Sequence, residues 1–187
     1  MLRLISRFYF WLTGWKAIGK LPPHEKYVLV AAPHTTNWDF PITMATCSLL
    51  GIRMRYLAKK ELFKAPLGWL MRAFGGIPVE RSKNTNMIER MAEVFEQYEE
   101  LAMIVPVEGT RGFVEEWKSG FYFIALRAQV PIVLGFLDYK KKQGGVFEKV
   151  FYPSGDYEAD LPLIKNYFRE VTPKYPEKSS LKDYFKD

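Results

Sequence analysis

Short apolar runs alternate along this chain with segments whose apolar residues recur at helical spacing. The runs end at Pro, Gly or polar residues and are too short for buried helices. They predict strands at 26–32, 53–58, 77–79, 101–107, 130–139 and, as an edge strand, 145–152. The segments between them predict helices at 39–50, 66–74, 120–129 and 160–171, and a long helix that follows Asn84 as its N-cap. This alternation is typical of an α/β fold, here a single-domain sandwich with a mostly parallel central sheet flanked by helices.

The length and composition fit one domain with a sizeable core. The chain has 187 residues, of which 48% are hydrophobic and 16% aromatic, so disorder is excluded for most of it. No internal repeat or linker interrupts it. We divide it into a surface helix at 1–20, a globular domain at 21–171 and a peripheral polar tail at 172–187.

The amino-terminal segment is apolar but interrupted by charge. Its longest charge-free stretch, 8–15, is far shorter than the ~20 residues needed to span a bilayer. Arg3 and Arg7 precede that stretch, and no small-residue cleavage site of a signal peptide follows. The pattern favours an in-plane amphipathic helix on a membrane surface; a helix docked on the protein's own core stays open as the alternative. The predicted membrane anchors are the aromatic residues Phe8, Phe10, Trp11 and Trp15.

Positive charge is concentrated in one segment. The net charge is +6, and residues 50–83 contain eight basic residues against Glu61 and Glu80, which gives 8 − 2 = +6 for this segment alone. Large apolar residues are interleaved with these cations, which suits an anionic membrane surface. Nucleic acid is not expected as a partner because no groove-reading or base-stacking motif accompanies the charge. A solvated basic face over ordinary core is the alternative.

Cysteine and histidine are scarce. The single cysteine, Cys47, excludes a disulfide framework and is predicted to be a small buried residue in a protein of a reducing compartment. With 2 His and 1 Cys, a conventional structural zinc site is not expected.

The clearest candidate for chemistry is the spacing of His34 and Asp39 after the first predicted strand. A histidine can accept a proton near neutral pH, and a carboxylate about one helical turn later can fold back to fix its tautomer. No Gly-x-Ser-x-Gly elbow occurs in the sequence, so a serine-hydrolase mechanism is not indicated. The alternative is that His34 caps a backbone carbonyl at the end of a loop. His24, between Pro23 and Glu25, is assigned no role.

A second candidate segment, Glu108-Gly109-Thr110-Arg111, follows the predicted strand at 101–107. Glycine allows backbone amides to approach an anion, threonine offers a hydroxyl, and the Arg111 guanidinium can bind phosphate through two parallel hydrogen bonds. A carboxylate repels phosphate, so Glu108 is expected to pair with a cation or a backbone amide and hold the loop. Arg81, at the end of the segment 75–81, could supply a second phosphate contact, although ordinary surface ion pairing is open for each arginine.

Taken together, these segments resemble the phospholipid and glycerol acyltransferases that include the 1-acylglycerol-3-phosphate acyltransferases. His34 and Asp39 are similar to the ends of that family's His-x4-Asp block, with Thr36 where Ser or Thr is usual. The segments 75–81, 108–111 and 130–133 resemble its second, third and fourth blocks, in family order. The chain departs from the pattern at several positions, which include Val107 before Glu108 and Gly112 after Arg111.

The resemblance implies an O-acyltransferase whose catalytic domain is the segment 21–171 and whose fold is that of the glycerol-3-phosphate acyltransferases. A fatty acyl group would pass from acyl-CoA or acyl carrier protein to the hydroxyl of a lysophospholipid acceptor, above all 1-acylglycerol-3-phosphate. His34 would act as base and Asp39 would stabilise the imidazolium. The implied substrate-binding residues are Thr36, Arg81, Glu108, Gly109, Thr110 and Arg111.

The same resemblance implies no covalent acyl-enzyme, no metal and no cofactor. The protein is expected to be peripheral, on the cytoplasmic face of an anionic membrane. Two alternatives remain open: an acyltransferase for another acceptor, such as a lyso-aminolipid, and a non-catalytic lipid-binding module at the membrane surface.

Overall fold

A computed structural model describes residues 2–66, 68–79 and 87–185 of the chain. Six α-helices lie within these ranges: α1 Leu2–Thr13, α2 Asp39–Leu50, α3 Gly68–Ala73, α4 Met87–Glu96, α5 Gly120–Ala128 and α6 Tyr157–Asn166. Seven strands lie there as well: β1 Lys16–Ile18, β2 Lys26–Ala31, β3 Met54–Lys59, β4 Gly76–Val79, β5 Leu101–Pro106, β6 Ile132–Asp138 and β7 Gln143–Phe151. The predicted N-cap Asn84 lies outside the described residues.

The strands form one sheet in the order β1-β7-β6-β2-β5-β3-β4. Every neighbouring pair is parallel except β6 and β7, which are antiparallel. The predicted fold class, an α/β sandwich with a mostly parallel sheet, is therefore confirmed. β7 is the second strand of the sheet and not the edge strand predicted at 145–152, although its three-residue neighbour β1 pairs only with the start of β7, at Gln143, Gly144 and Gly145. β1 has only three residues, which is too short for an alternation pattern to reveal it in the sequence.

Helices cover both faces of the sheet, and the alternation of β2 shows how. Tyr27 and Leu29 belong to a buried cluster that includes Cys47 of α2. Val28 and Val30 point to the opposite face, where the cluster is completed by residues of α4, α5 and α6. Because successive side chains of a strand alternate between faces, a strand that is apolar at both sets of positions must be covered on both sides.

The central position of β2 determines which loops meet. β2 lies between β5 and β6, and its last residue, Ala31, is in register with Pro106 of β5 and Gly135 of β6. These three strands are parallel, so the loops that follow them leave the sheet at the same edge. In open α/β sheets the carboxyl edge is where ligand-binding loops gather.

The amino-terminal helix α1 packs one face on the protein and leaves the other exposed. Phe10 and Trp15 are only 4% and 9% exposed and form a cluster with Ile42 of α2, so they are not available as membrane anchors. Phe8 and Trp11, by contrast, are 62% and 77% exposed. The alternative of a helix docked on the protein's own core thus holds for one face of α1, and the membrane-surface helix stays a prediction for the exposed face. None of the helices in the described ranges is long and apolar enough to cross a bilayer.

The carboxyl-terminal part of the chain differs from its prediction. Helix α6 ends at Asn166, five residues before the predicted end at Val171. The tail predicted to be peripheral packs against the domain as far as it is described, with Ser179 and Leu181 buried. The polar composition of the tail misled the prediction, because the hydroxyls of Ser179, which is buried, and Ser180, which is part-buried, donate hydrogen bonds to the Glu108 carboxylate.

Candidate active site

His34 and Asp39 form a close pair at the carboxyl end of β2. Nδ1 of His34 lies 2.9 Å from Oδ2 of Asp39, and the two side chains are 22% and 7% exposed. An ionised carboxylate can only accept, so Nδ1 carries the proton of this bond and Nε2 keeps its lone pair. No hydrogen bond to Nε2 is formed anywhere in the described ranges. The arrangement predicted from the five-residue spacing is what the structure contains: an oriented imidazole with one unoccupied nitrogen.

Asp39 is fixed by donors on both of its oxygens. As the first residue of α2, it accepts hydrogen bonds at Oδ2 from the amides of Thr35 and Thr36, at 3.0 and 3.1 Å. The hydroxyl of Tyr139 donates to Oδ1 at 2.6 Å. A carboxylate near a helix amino terminus is also favoured by the helix dipole. Together these contacts fix the Asp39 carboxylate in the position that orients His34.

Tyr139 is the residue of this site that sequence reasoning missed. It directly follows β6 and thus leaves the sheet beside the His34 loop. Burial, and then the hydrogen bond to Asp39, raise the pKa of its phenol well above the ordinary value, so it remains a donor at any physiological pH. Its ring packs edge-on against Trp15, with centroids 5.1 Å apart. Only its place as the last residue of a predicted strand in the same sheet could have indicated it.

Glu108 supports the His34 loop from the neighbouring strand. It follows β5 by two residues and is 1% exposed. Its Oε2 accepts a hydrogen bond of 2.7 Å from the backbone amide of His34. Oε1 accepts from the amide and hydroxyl of Ser180 and from the hydroxyl of Ser179. The prediction that Glu108 pairs with a backbone amide is confirmed, and these contacts give it a supporting role in place of the predicted substrate contact.

The rest of the segment after Glu108 forms an exposed loop. Gly109 has a φ of +67°, which favours glycine, and an added Cβ would lie 2.8 Å from Cε of Lys118. The hydroxyl of Thr110 accepts from the amide of Gly112 at 3.3 Å. Arg111 is exposed, and among the described residues its guanidinium has no hydrogen-bond or ion-pair partner. This guanidinium, three residues after Glu108, is available to a solvent-borne anion.

The structure treats the two remaining predicted residues differently. Thr36 is buried, and its hydroxyl accepts from the amide of Trp38 at 3.4 Å, which makes it part of the turn into α2. Arg81 lies outside the described residues. The strand before it, β4, ends at the same edge of the sheet as β2 and β5 but two places beyond β5, about 10 Å at the usual strand spacing.

Two cavities differ in their relation to this site. A narrow cavity of ≈ 40 Å³ is lined by His34 and Asp39, by residues of the sheet, and by α2 residues that include Cys47. It is large enough for a water molecule but too small for a fatty acyl chain. Burial raises the pKa of the Cys47 thiol to about 12, so this thiol is not a nucleophile near neutral pH.

The second cavity is an open groove of ≈ 980 Å³ between α4 and α5. It reaches Lys26, the first residue of β2, and so lies at the opposite end of the sheet from His34. Its lining includes Glu89, Glu93 and Glu96, whose charge is wrong for a phosphate. We therefore place the chemistry at His34 despite the greater size of this groove. Among the described residues, no three His, Cys, Asp or Glu side chains come together as a metal site.

At the carboxyl edge of these parallel strands, the His34–Asp39 pair presents a second ring nitrogen that can accept a proton, which is what general-base chemistry requires. The family model described as Acyltransferase matches residues 17–133 of the chain, which is more than half of it. The chain belongs to this family. The matched range contains His34, Asp39 and Glu108, and ends before Tyr139 and the two serines that bind Glu108.

Individual relatives agree with the family. The 1-acyl-sn-glycerol-3-phosphate acyltransferase of Streptococcus pneumoniae is 30% identical over 116 residues, which cover 61% of this chain and 42% of that protein. The human 1-acyl-sn-glycerol-3-phosphate acyltransferase beta is 33% identical over 140 residues, or 65% of this chain and 50% of that protein. The chain thus spans half or less of the curated relatives it matches.

A solved structure supports the fold independently. The crystal structure of the 1-acyl-sn-glycerophosphate acyltransferase PlsC from Thermotoga maritima superposes with a TM-score of 0.60 and covers 92% of this chain and 79% of that chain. At 17% sequence identity this likeness concerns the fold alone.

Proposed function

We propose that this protein transfers a fatty acyl group from an acyl thioester to the free hydroxyl of a lysoglycerolipid, with 1-acylglycerol-3-phosphate as the acceptor. The donor is acyl-CoA or acyl carrier protein. The observation that carries the proposal is the His34–Asp39 pair, in which Nδ1 is bound and Nε2 is left to accept a proton. The names of the two curated relatives support the acceptor.

The proposed reaction needs one base and no covalent intermediate. Nε2 of His34 takes the proton of the acceptor hydroxyl as its oxygen attacks the thioester carbonyl carbon. The tetrahedral intermediate collapses as the carbon–sulfur bond breaks, and the departing thiolate takes the proton back from the imidazolium. Asp39 stabilises the transient imidazolium, because four donors hold its carboxylate in place next to the ring.

Arg111 is the proposed contact for the acceptor phosphate. Its exposed guanidinium follows Glu108 by three residues, and Glu108 is hydrogen-bonded to the main chain of His34. A phosphate held there would anchor the acceptor beside the base, so that binding energy remote from the reacting atoms positions the hydroxyl. Arg81, after β4, is the proposed second contact, with Gly109 and Thr110 shaping the loop.

We further propose that the protein works as a peripheral protein on the cytoplasmic face of an anionic membrane. Phe8 and Trp11 project from α1, and Trp69, in α3, is also exposed. β3 ends at Lys59, so the basic turn that follows leaves the sheet at the same edge as His34. Apolar anchors and nearby cations together suit an interface from which a single-chain lipid could enter the site.

The deciding experiment is an acyl-transfer assay with purified protein. Acyl-CoA and acyl carrier protein are each tested with lysophosphatidate, with a lyso-aminolipid and without acceptor. We expect thioester consumption that depends on lysophosphatidate, and a loss of at least ~10²-fold in His34→Ala. Asp39→Asn should also be impaired, because an amide cannot stabilise the imidazolium.

His24→Ala is the matched control. His24 contacts Tyr152 and precedes β2, so it lies at the opposite end of this strand from Asp39, and its loss should leave turnover unchanged. Turnover only with the lyso-aminolipid would replace the acceptor in this proposal. Absence of transfer to every acceptor, with both donors, would leave a lipid-binding module.

A further inference from the structure

The carboxyl-terminal segment 172–181, which we call the strap, runs along the loops of the candidate site. The carbonyl of Thr172 accepts from the amide of Tyr139 at 2.8 Å. The amide of Tyr175 donates to the hydroxyl of Thr35, the neighbour of His34, at 3.3 Å. The strap thus contacts both loops that hold Asp39 before it reaches Glu108.

The strap then supplies three of the four hydrogen bonds to the Glu108 carboxylate. Oε1 accepts from the Ser180 hydroxyl at 2.7 Å, the Ser180 amide at 2.8 Å and the Ser179 hydroxyl at 3.2 Å. The Ser180 hydroxyl is itself oriented by Trp117, whose Nε1 donates to it at 2.8 Å. Ser179 is fully buried and Ser180 is part-buried, so the contact from Ser179 is shielded from competing water.

The fourth hydrogen bond connects this carboxylate to the catalytic loop. Oε2 of Glu108 accepts from the amide of His34 at 2.7 Å. Within the described residues Glu108 has no cationic partner, so its buried charge depends on these donors. If the donors at Oε1 were lost, the carboxylate would have to reach water by rotating or by opening the loop, and the His34 amide would lose its acceptor.

We propose that Ser179 and Ser180 are positioning residues of the acyl-transfer reaction. They fix the Glu108 carboxylate, which fixes the main chain of His34 and thereby the place of its imidazole. Neither serine contacts the reacting atoms, and both lie beyond residue 133, where the family match ends. The kinetic part of this inference rests on the proposed function; its structural part does not.

The structural part is tested without any substrate. The double variant Ser179→Ala/Ser180→Ala removes the two hydroxyl donors at Oε1 of Glu108 and keeps the Ser180 amide. The amide of His34 should then exchange its hydrogen at least about tenfold faster, the scale of a lost hydrogen bond to a charged group. The ring signals of His34 should also shift in the NMR spectrum, while those of His24 stay in place. The chain has only 2 His, and His24→Asn assigns the two sets of signals.

The kinetic part separates positioning from substrate binding. We expect the double variant to lower kcat by about tenfold or more, since small displacements of reacting groups carry large rate penalties, with the KM of donor and acceptor unchanged. The single variant Ser180→Thr keeps the hydroxyl and should retain most of the kcat of the wild-type protein. Ile164 is a buried core residue of α6, so Ile164→Val is the control for a general loss of stability and should leave kcat unaltered. If the double variant does not fold, Ser180→Ala alone is measured in the same way.

Distinct outcomes overturn the inference. A folded double variant with unchanged exchange of the His34 amide would disprove the connection through Glu108. A raised KM with normal kcat would mean that the strap binds substrate and does not position the base. Should the wild-type protein transfer no acyl group at all, the proposed function fails, and the exchange experiment still decides whether the strap holds His34.

Discussion

The hydroxyl of Tyr139 donates a 2.6 Å hydrogen bond to Oδ1 of Asp39, across 100 positions of sequence. Because Tyr139 also packs against Trp15, the carboxylate that orients His34 is connected to the buried face of the amino-terminal helix. Trp15 in turn lies 6.2 Å, centroid to centroid, from Phe10 of α1. The orientation of the base therefore depends on packing that begins in α1.

Removal of this hydroxyl should impair catalysis without unfolding the protein. Tyr139→Phe keeps the ring on Trp15 but leaves Oδ1 of Asp39 without its donor. We expect kcat to fall by up to about tenfold, since three other donors still hold Oδ2, and the free energy of unfolding to drop by about 1–2 kcal/mol. Steady-state kinetics and thermal unfolding measure the two effects. Tyr152→Phe, which removes a hydroxyl bonded to His24, is the matched control; equal kinetics in both variants would contradict the role of Tyr139.

Loss of Arg111 should affect acceptor binding selectively. Arg111→Ala removes an exposed guanidinium three residues after Glu108. The KM for a phosphate-bearing acceptor should rise about tenfold or more, which is the effect expected when a charge-assisted hydrogen bond is lost. The KM for the acyl donor should change little. Arg127→Ala, which breaks a surface ion pair between Arg127 of α5 and Glu89 of α4, controls for loss of charge. A proportional rise in both constants would show that Arg111 is structural.

The two faces of α1 should respond differently to truncation of an aromatic residue. Trp11→Ala should weaken sedimentation with anionic vesicles and leave the melting temperature unchanged, because Trp11 is exposed. Phe10→Ala should lower the free energy of unfolding by about 3–5 kcal/mol, the usual cost of a buried phenylalanine. High salt should release part of the bound protein by screening the basic segment. Vesicle binding that ignores both Trp11→Ala and lipid charge would exclude a membrane role for this helix.

Asp160 should make stability depend on pH in the acid range. The amide of Ser154, and next the hydroxyl of Tyr122, hold the pKa of Asp160 below its ordinary value. A carboxyl whose pKa is lower in the folded protein stabilises it above the unfolded pKa of about 3.9, and this contribution disappears as the pH falls through the folded pKa. Asp160→Asn should therefore melt at a lower temperature than wild type near neutral pH, and the difference should vanish near pH ~2. A difference independent of pH would show that the charge contributes nothing.

Local patterns predicted the centre of this fold well. The helix at 39–50 has its predicted bounds because Gly51, with a φ of +82°, ends it. The strand runs at 26–32 and 101–107 were recognisable because both of their faces are apolar. The contact of His34 with Asp39 could be predicted because it too is local: Asp39 is only five positions after His34.

The parts that were missed depend on contacts between distant residues. Tyr139 and Ser180 reach the site across 100 and 72 positions, and nothing in the neighbouring sequence marks either one. The composition of the tail suggested a solvated end, whereas Ser179 is buried and Ser180 part-buried as donors to Glu108. β7 was assigned to the edge because its neighbour β1 is too short to be recognised.

The register between β2 and β5 places Ala31 opposite Pro106, so His34 and Glu108 leave the sheet side by side. Successive side chains of a strand alternate, so a slip of one residue would turn every side chain of β5 to the other face. The backbone hydrogen bonds between β2 and β5 thus determine both how the core packs and where His34 lies. Substitutions deep in the sheet can therefore disturb the His34 loop without contacting it, and an inserted residue in either strand would be more damaging to the candidate site than many changes in the loops themselves.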